Sequence, residues 1–392
     1  MKICLVNEEY PNETNFGGIA TYQKLMAESL NALGHQVTVI CRSLDYDKQY
    51  IENGIKIIRI YIDNSLKDYE KIVQYRKKVA YQLMDLENKD MIDVIECAEW
   101  GAELIEYLNY RKTPIVVRLH TPLHIWAEHN QCMLTKTVHE NMLLWEKLII
   151  EGADVVTSCT QDLKNKVVSL MNITRQDIQV IPNPANLSNF YPKVLNRTLS
   201  NMILFCGSLE MRKGVHVLAK AIPLILSNID ATFMFVGKDT KRNDKSISMR
   251  NYIYQTVPEC FHSKMEFLGQ INNIDLVDIY HTARMAVFPS LYENFPYVVL
   301  EAMACQIPII GSKSGGMPEM IENEVSGLLY SPPDEIELAS LIIRIWKDKD
   351  FASQCAINAE QSVQTRYEPI AIAKLMIKQY ELAIKKFSQI IS

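Results

Sequence analysis

Pro289-Ser-Leu-Tyr-Glu-Asn-Phe-Pro-Tyr-Val-Val-Leu-Glu301 decides the fold. It follows Met285-Ala-Val-Phe288, a short apolar run that reads as a buried strand. Asn294 is placed to cap a helix and Pro296 suits a first helical turn, so a helix is expected to open there and run over 297–304. Glu293 then lies in the loop before the helix, and Glu301 about two turns inside it. A helix N-terminus gathers unpaired N–H groups and positive dipole, so it favours an anion such as a diphosphate. Ionised carboxylates only accept hydrogen bonds, and two beside that spot can hold hydroxyl groups of the same ligand. Taken alone, the same spacing also fits one acid complementing a helix dipole and another on a solvated face.

The neighbouring segments extend the pattern. Ile307-Pro-Ile-Ile-Gly-Ser-Lys-Ser-Gly-Gly-Met-Pro-Glu-Met-Ile321 reads as a strand, a glycine-rich loop and a second helix opening, followed by Gly327-Leu-Leu-Tyr330. Upstream, Asn201-Met-Ile-Leu-Phe-Cys206 is a strand leading into Gly207-Ser-Leu-Glu-Met-Arg-Lys-Gly214. Adjacent Arg212 and Lys213 in a glycine-bounded loop suit a diphosphate, the arginine as a fork and the lysine as a point charge. Further strands are expected at 231–237 and 264–270, with Gly269-Gln270-Ile271 as a strand-end loop. Helices are expected at 276–282, 335–347 and from about 369 to 387. Strands alternating with helices imply a parallel sheet, and open α/β sheets bind ligands beyond the carboxyl ends of their strands.

The first half starts the same alternation independently. A strand at 3–7 leads into Phe16-Gly-Gly-Ile, a helix over about 19–33 closed by Gly34, and a strand at 37–41. Gly17-Gly18 at the strand-to-helix turn lets a ligand meet bare backbone. The turn lacks the G-x-G-x-x-G dinucleotide fingerprint. The mixed charges of 65–89 describe an exposed helix, with Arg76-Lys77-Lys78 its most basic point. A strand beginning at Val94-Ile95 leads into the loop Glu96-Cys-Ala-Glu-Trp-Gly101, where Glu99 and Trp100 together suit a sugar: ring against C–H faces, acid on hydroxyls. His120 ends the strand of Pro114-Ile-Val-Val-Arg-Leu-His120. A helix over 134–151, a strand at 153–157 and another helix from Ser158 precede Val180-Ile-Pro-Asn-Pro184, and polar residues 185–200 read as a linker.

A chain of 392 residues suits two or three domains, and 48% apolar content supplies sizeable cores. A net charge of −5 argues against a nucleic-acid partner. Nine scattered cysteines without C-x-x-C pairs fit a reducing compartment. Met1-Lys-Ile-Cys-Leu-Val-Asn7 enters a strand at once and does not read as a signal peptide, so a cytoplasmic location is expected. Asp45-Tyr-Asp47 has the D-x-D spacing of a metal grip but falls in a polar loop beside Lys48, and a solvated loop is expected.

The run 289–330, with 207–214 before it, resembles the signature of the retaining GT-B glycosyltransferases of family 4, the glycogen-synthase-like group 1 enzymes. The resemblance spans most of the chain and is strongest over 201–330. It implies two Rossmann-like domains facing across a cleft: 1–190, joined by a C-terminal helix at about 369–392, for an acceptor, and 198–368 for a nucleotide-sugar. The implied diphosphate ligands are Gly17, Gly18, Arg212 and Lys213. Glu301, Gly269, Gln270 and Ile271 take the nucleoside. Glu293, Asn294, Phe295, Pro296 and His120 take the donor sugar, with Glu293, His120 and Lys213 in the chemistry. Glu99 and Trp100 remain candidates for the acceptor. Ser208 stands where the family commonly has arginine, and Arg212 is expected to serve instead; Pro184 stands where glycine is usual.

The resemblance further implies transfer of a hexosyl unit with retention, without a metal or other cofactor. UDP is the commonest donor nucleotide in that family. The acceptor is expected to be a carbohydrate, lipid-linked or small molecule, with membrane contact at most peripheral. Three alternatives stay open: another GT-B enzyme such as a sugar-nucleotide epimerase, a catalytically silent nucleotide-sugar binder, and a dinucleotide oxidoreductase.

Overall fold

The computed structural model describes residues 1–14, 17–129, 136–193, 200–241 and 247–391. Phe16 of the glycine turn, 134–135 of the expected helix and 194–199 of the expected linker lie outside the described residues. The chain divides into two units: Met1–Trp126, Leu134–Pro184 and Pro369–Ser392 form one, Ala127–Met133 and Ala185–Glu368 the other.

In the first unit the elements run β1 (Lys2–Val6), α1 (Gly18–Ala32), β2 (Gln36–Ser43), β3 (Lys48–Glu52), β4 (Ile55–Tyr61), α2 (Asp68–Asn88), β5 (Val94–Ala98) and β6 (Ile115–Leu119). After them come α3 (Leu123–His129), of which only Leu123–Trp126 belongs to this unit, α4 (Lys136–Gly152), β7 (Val155–Ser158), α5 (Gln161–Leu170) and β8 (Gln179–Val180). The sheet order is β3-β4-β2-β1-β5-β6-β7-β8. All pairs are parallel except β3 with β4. β5, β6 and β7 are buried along their whole length, which is why they read as unbroken apolar runs. Three features depart from the sequence reading. The hairpin β3–β4 was not expected, although Asn53-Gly54 at its tip, with φ of 50° and 83°, is the dipeptide such turns favour. β5 extends through Ala98, so Glu96 and Cys97 are strand residues rather than loop. Arg76 is not exposed: its guanidinium lies 4.3 Å from the Trp145 ring centre and Nε donates to Gly101 O at 3.0 Å. Lys78 of the same run pairs with Asp47 at 3.1 Å, so the run offers no open basic patch.

The second unit contains β9 (Met202–Cys206), α6 (Val215–Leu226), β10 (Thr232–Val236), α7 (Met249–Thr256), β11 (Met265–Gly269), α8 (Asn273–Thr282) and β12 (Met285–Val287). It continues with α9 (Tyr297–Ala304), β13 (Ile309–Ser312), α10 (Met317–Met320), β14 (Leu328–Tyr330), α11 (Glu335–Lys347) and α12 (Lys349–Arg366). Its sheet is parallel throughout, in the order β11-β10-β9-β12-β13-β14. α12 was not expected from the sequence. Its buried positions are Ala352, Cys355, Ala356, Ala359 and Val363, side chains too small to make an apolar stripe stand out.

The last helix, α13 (Pro369–Ile391), belongs to the first unit. The buried Tyr380 hydroxyl donates to Glu96 Oε2 at 2.6 Å, and Met376 lies beside Arg118. Arg118, itself without exposure, donates to Ile181 O and Asn183 Oδ1, both at 2.7 Å. These contacts satisfy polar groups that burial would otherwise make costly.

Candidate functional site

In the second unit β10 flanks β9 on one side and β12 on the other, so the chain winds outward in two directions from the β9/β12 pair. That reversal is where an open α/β sheet leaves a crevice for a ligand. The loop after β9 carries Arg212 and Lys213 on a single tight turn, Met211–Lys213. The loop after β12 carries Glu293.

Bare backbone sets the spacing of these loops. Gly214 has φ +67°, and a Cβ there would stand 1.8 Å from Pro289 O. Leu291 N–H donates to Arg212 O at 2.7 Å. From the other side comes the turn after β13: Gly315 has φ +60°, with its missing Cβ 1.9 Å from Glu293 O. Gly316 N–H donates to that same carbonyl at 2.8 Å, and Ser314 Oγ donates to Leu291 O at 2.6 Å. The glycines at these two positions therefore let three loops interlock main chain to main chain.

The side chains converge on Glu293, which is 7% exposed. Arg212 Nη1 is 3.0 Å from Glu293 Oε1, and Lys213 Nζ pairs with the same oxygen. Arg212 Nη2 also bonds Glu210 Oε1 at 2.7 Å. Burial would raise the Glu293 carboxyl, but Arg212 and Lys213 outweigh it and hold the group below the ordinary carboxylate range. Burial likewise opposes the charge on Arg212, and Glu293 and Glu210 more than restore it. Two cations thus face two acids in this turn.

Asn294 is not the helix cap. The cap is Pro296, in extended conformation with φ −73° and ψ 119°, and the helix opens at Tyr297. The helix therefore spans the expected residues, but Asn294 stands two residues before its cap, next to the Glu293 carbonyl that Gly316 holds. Asn294, Phe295 and Pro296 are all buried, with the Phe295 ring meeting Tyr367 edge-on at 5.5 Å. Glu301 lies within α9, where the Tyr280 hydroxyl reaches its Oε2 at 3.2 Å. Burial pushes the Glu301 carboxyl up to about 7, with the Tyr280 hydroxyl pulling the other way. Glu301 and Lys213 both reach Cys206 at the end of β9: burial pushes that thiol up to about 12, Glu301 adds to the rise and Lys213 opposes it. Gly269, at φ +72°, passes its carbonyl to Gly237 N–H at 2.8 Å and has open space where a side chain would stand. Gln270 is exposed and Ile271 half-buried.

In the first unit, Gly17 caps α1 and Gly18 begins it. A Cβ on Gly17 would lie 2.5 Å from Glu9 Oε2, and the Glu9 carboxylate accepts from Ala20 N–H. A carboxylate thus occupies the helix N-terminus beside the two glycines; burial, helped by Glu8, pushes it up to about 7. His120 is buried against Tyr22, ring centres 5.2 Å apart. Burial, with Arg118 adding to it, pulls the imidazole down to about 3, so it is neutral at ordinary pH. Glu99 has no exposed surface and its Oε2 accepts from His120 N–H at 2.8 Å. This corrects the expectation that it reaches an acceptor: the carboxylate is turned into the protein, where it fixes the strand end carrying His120. Trp100 is half-buried, edge-on to Trp126 at 6.2 Å. Asp45 and Asp47 of the D-x-D triplet are engaged by Lys48 at 3.0 Å and Lys78 at 3.1 Å.

Sequence reasoning missed Glu210, Gly315, Gly316 and Tyr280. Ser-Gly-Gly after a strand was a signal for the two glycines. Tyr280, 21 residues before its partner, left none.

Two parallel α/β domains, one with an acid and two cations at its topological switch point, define the class: a GT-B glycosyltransferase. The comparisons agree. Residues 189–362 match the description "Glycosyl transferases group 1" and residues 16–189 match "Glycosyltransferase Family 4". The chain belongs to this family of sugar-transferring enzymes, the group 1, family 4 hexosyltransferases. It is 29% identical to an uncharacterized glycosyltransferase of Methanocaldococcus jannaschii, over 98% of this chain and 99% of that one. Among solved structures it is similar to sucrose-phosphate synthase from Thermosynechococcus elongatus, with TM-score 0.80, 24% identity, and 97% and 98% of the two chains covered. It is also similar to Anabaena HepE in complex with UDP, with TM-score 0.72, 17% identity, and 97% and 100% covered. Among the described residues no helix is long and apolar enough to cross a membrane.

Proposed function

We propose that the protein moves a hexosyl unit from a UDP-sugar to an acceptor hydroxyl, with retention of configuration and with Lys213 and Arg212 in place of a metal. The observation that carries this is the buried Glu293 held by both cations at the β9/β12 switch point. As the sugar–phosphate bond breaks, negative charge grows on the phosphate oxygens. Lys213 and Arg212 are already positioned to meet it, so little reorganisation is needed. Glu293 orients hydroxyls of the sugar. Glu301 accepts from the ribose, and the Gly269-Gln270-Ile271 main chain receives the base. The similarity to a protein solved with UDP supports the choice of donor.

Glu293 is a poor nucleophile, because its charge is committed to two cations. Retention then follows from attack on the face the phosphate leaves, with the acceptor proton passing to a departing phosphate oxygen. His120, neutral, is our candidate for a hydrogen bond to the transferred sugar. The acceptor is a carbohydrate, lipid-linked or small-molecule alcohol. The test is a donor-hydrolysis screen across UDP-, GDP- and ADP-hexoses in the presence of EDTA, with the product anomer read by NMR. UDP-sugar turnover that survives EDTA and gives the retained anomer is expected; an inverted product or loss of turnover with EDTA refutes the reading.

A further inference from the structure

Tyr280 has no exposed surface. Its ring is fixed edge-on by Phe190 at 5.8 Å, and the next residue, His281, places Nε2 2.7 Å from Tyr191 O. A phenylalanine would fill the same space. A tyrosine hydroxyl at such depth is costly unless it is bonded, and here it lies 3.1 Å from Val298 O and 3.2 Å from Glu301 Oε2, both on α9. The Cys206 thiol is a third hydrogen-bonding neighbour; the hydroxyl has a single proton, and the carboxylate is the strongest acceptor of the three.

We propose that Tyr280 is a positioning residue for donor binding: its hydroxyl holds Glu301 Oε2, turning Oε1 towards the ribose hydroxyls. The proposal rests on reading Glu301 as the ribose ligand. A glutamate side chain has three rotatable bonds, and holding one oxygen removes freedom that a ligand would otherwise have to freeze. The groups acting on Glu301 and its neighbours are the Tyr280 hydroxyl from α8 and the Cys206 thiol from the end of β9, with Lys213 acting on that thiol and Cys305, just after α9, on Tyr280. Loss of the hydroxyl removes the one hydrogen bond that opposes burial at this carboxyl. The acid limb of nucleotide binding then moves to higher pH.

The test is calorimetric titration with UDP between about pH 5.5 and 8.5, with ADP and GDP in parallel, on the wild type, Tyr280→Phe, Glu301→Gln and the double variant. Ionisation of the nucleotide's own phosphate is common to all four and cancels. Each single variant is expected to bind UDP roughly tenfold more weakly, the scale of a hydrogen bond to a charged group. The double is expected to be no weaker than Glu301→Gln, since partners acting as a unit are not additive. Only Tyr280→Phe should raise the pH midpoint. Wild-type binding by Tyr280→Phe, or an additive double variant, overturns the proposal while leaving Glu301 in place. Wild-type binding by Glu301→Gln instead removes Glu301 from the ribose and the proposal with it. Should Tyr280→Phe fail to fold, Glu301→Asp draws the charge one methylene away from Tyr280. It is expected to bind as poorly as Glu301→Gln, and binding within about twofold of wild type overturns the proposal.

Discussion

Glu293→Gln keeps the shape of the side chain and removes its charge. Arg212 and Lys213 both rest on Glu293 Oε1. A diphosphate entering this loop must share those cations with a carboxylate. Two unit charges about 4 Å apart interact by up to ~4 kcal/mol at an effective dielectric of ~20, an upper bound. Charge-assisted hydrogen bonds contribute ~1.5–3 kcal/mol net. Recovering even the lower end of that range corresponds to about tenfold tighter binding of UDP, which carries no sugar and loses nothing when Glu293 is changed. Transfer should move the other way, falling ~10²–10³-fold, because an oriented charge at the reacting sugar is gone. Stability should fall by roughly 1–3 kcal/mol. That is less than the ~3–5 kcal/mol for breaking a fully buried pair, since Arg212 keeps Glu210 at 2.7 Å and the two cations retain 16% and 18% exposure. The assays are UDP calorimetry, donor turnover and a circular-dichroism melt. A folded Glu293→Gln that binds UDP no better than wild type would mean that the phosphate does not use these cations, and the assignment of the diphosphate site would fall.

Lys213→Ala is expected to lower kcat as well as affinity, since its contact strengthens as charge leaves the sugar; a change confined to KM contradicts this. Gly214→Ala should destabilise the fold by at least ~1–3 kcal/mol from backbone strain alone, because φ is +67° and Pro289 O stands 1.8 Å from the new methyl group; an unchanged melting temperature would show that the loops can part. Glu99→Gln tests linkage. Burial pushes Glu99 up to about 7, so over the interval from the ordinary carboxylate range to about 7 the folded chain keeps a proton that the unfolded chain releases. Stability falls as pH rises through that window, and Glu99→Gln should narrow the loss of melting temperature between about pH 5 and 8; an unaltered difference refutes the assignment. His120, pulled down to about 3, acts oppositely: its contribution is lost as pH falls from the ordinary histidine range towards 3.

Much of this arrangement is legible in the sequence. Strands buried on both faces announce themselves as apolar runs, and Gly214 and Lys213 stand next to each other in sequence as they do in space. What escaped was of two kinds. Short-range signals were outweighed by tertiary contacts: Asn294 is a good cap by chemistry, yet with the Glu293 carbonyl held by Gly316 the capping position falls to Pro296. Other features depend on partners remote in sequence. Glu99 beside Trp100 looks like a sugar contact until the strand bearing His120 closes over its carboxylate. Tyr280 looks like any core aromatic until Glu301 appears at its hydroxyl.

Main-chain interlocking around Gly214 and Gly315 also bears on how such an enzyme can diversify. Neither position admits a methyl group without pushing a peptide aside, so the gap between the cationic turn and the acidic turn is fixed by atomic radii and is closed to gradual adjustment. Drift towards new donors has to be carried by side chains outside the interlock, such as Ser208 and the exposed Gln270. A library randomised there should yield many folded members with altered preference, whereas one randomised at the glycines should yield mainly aggregates.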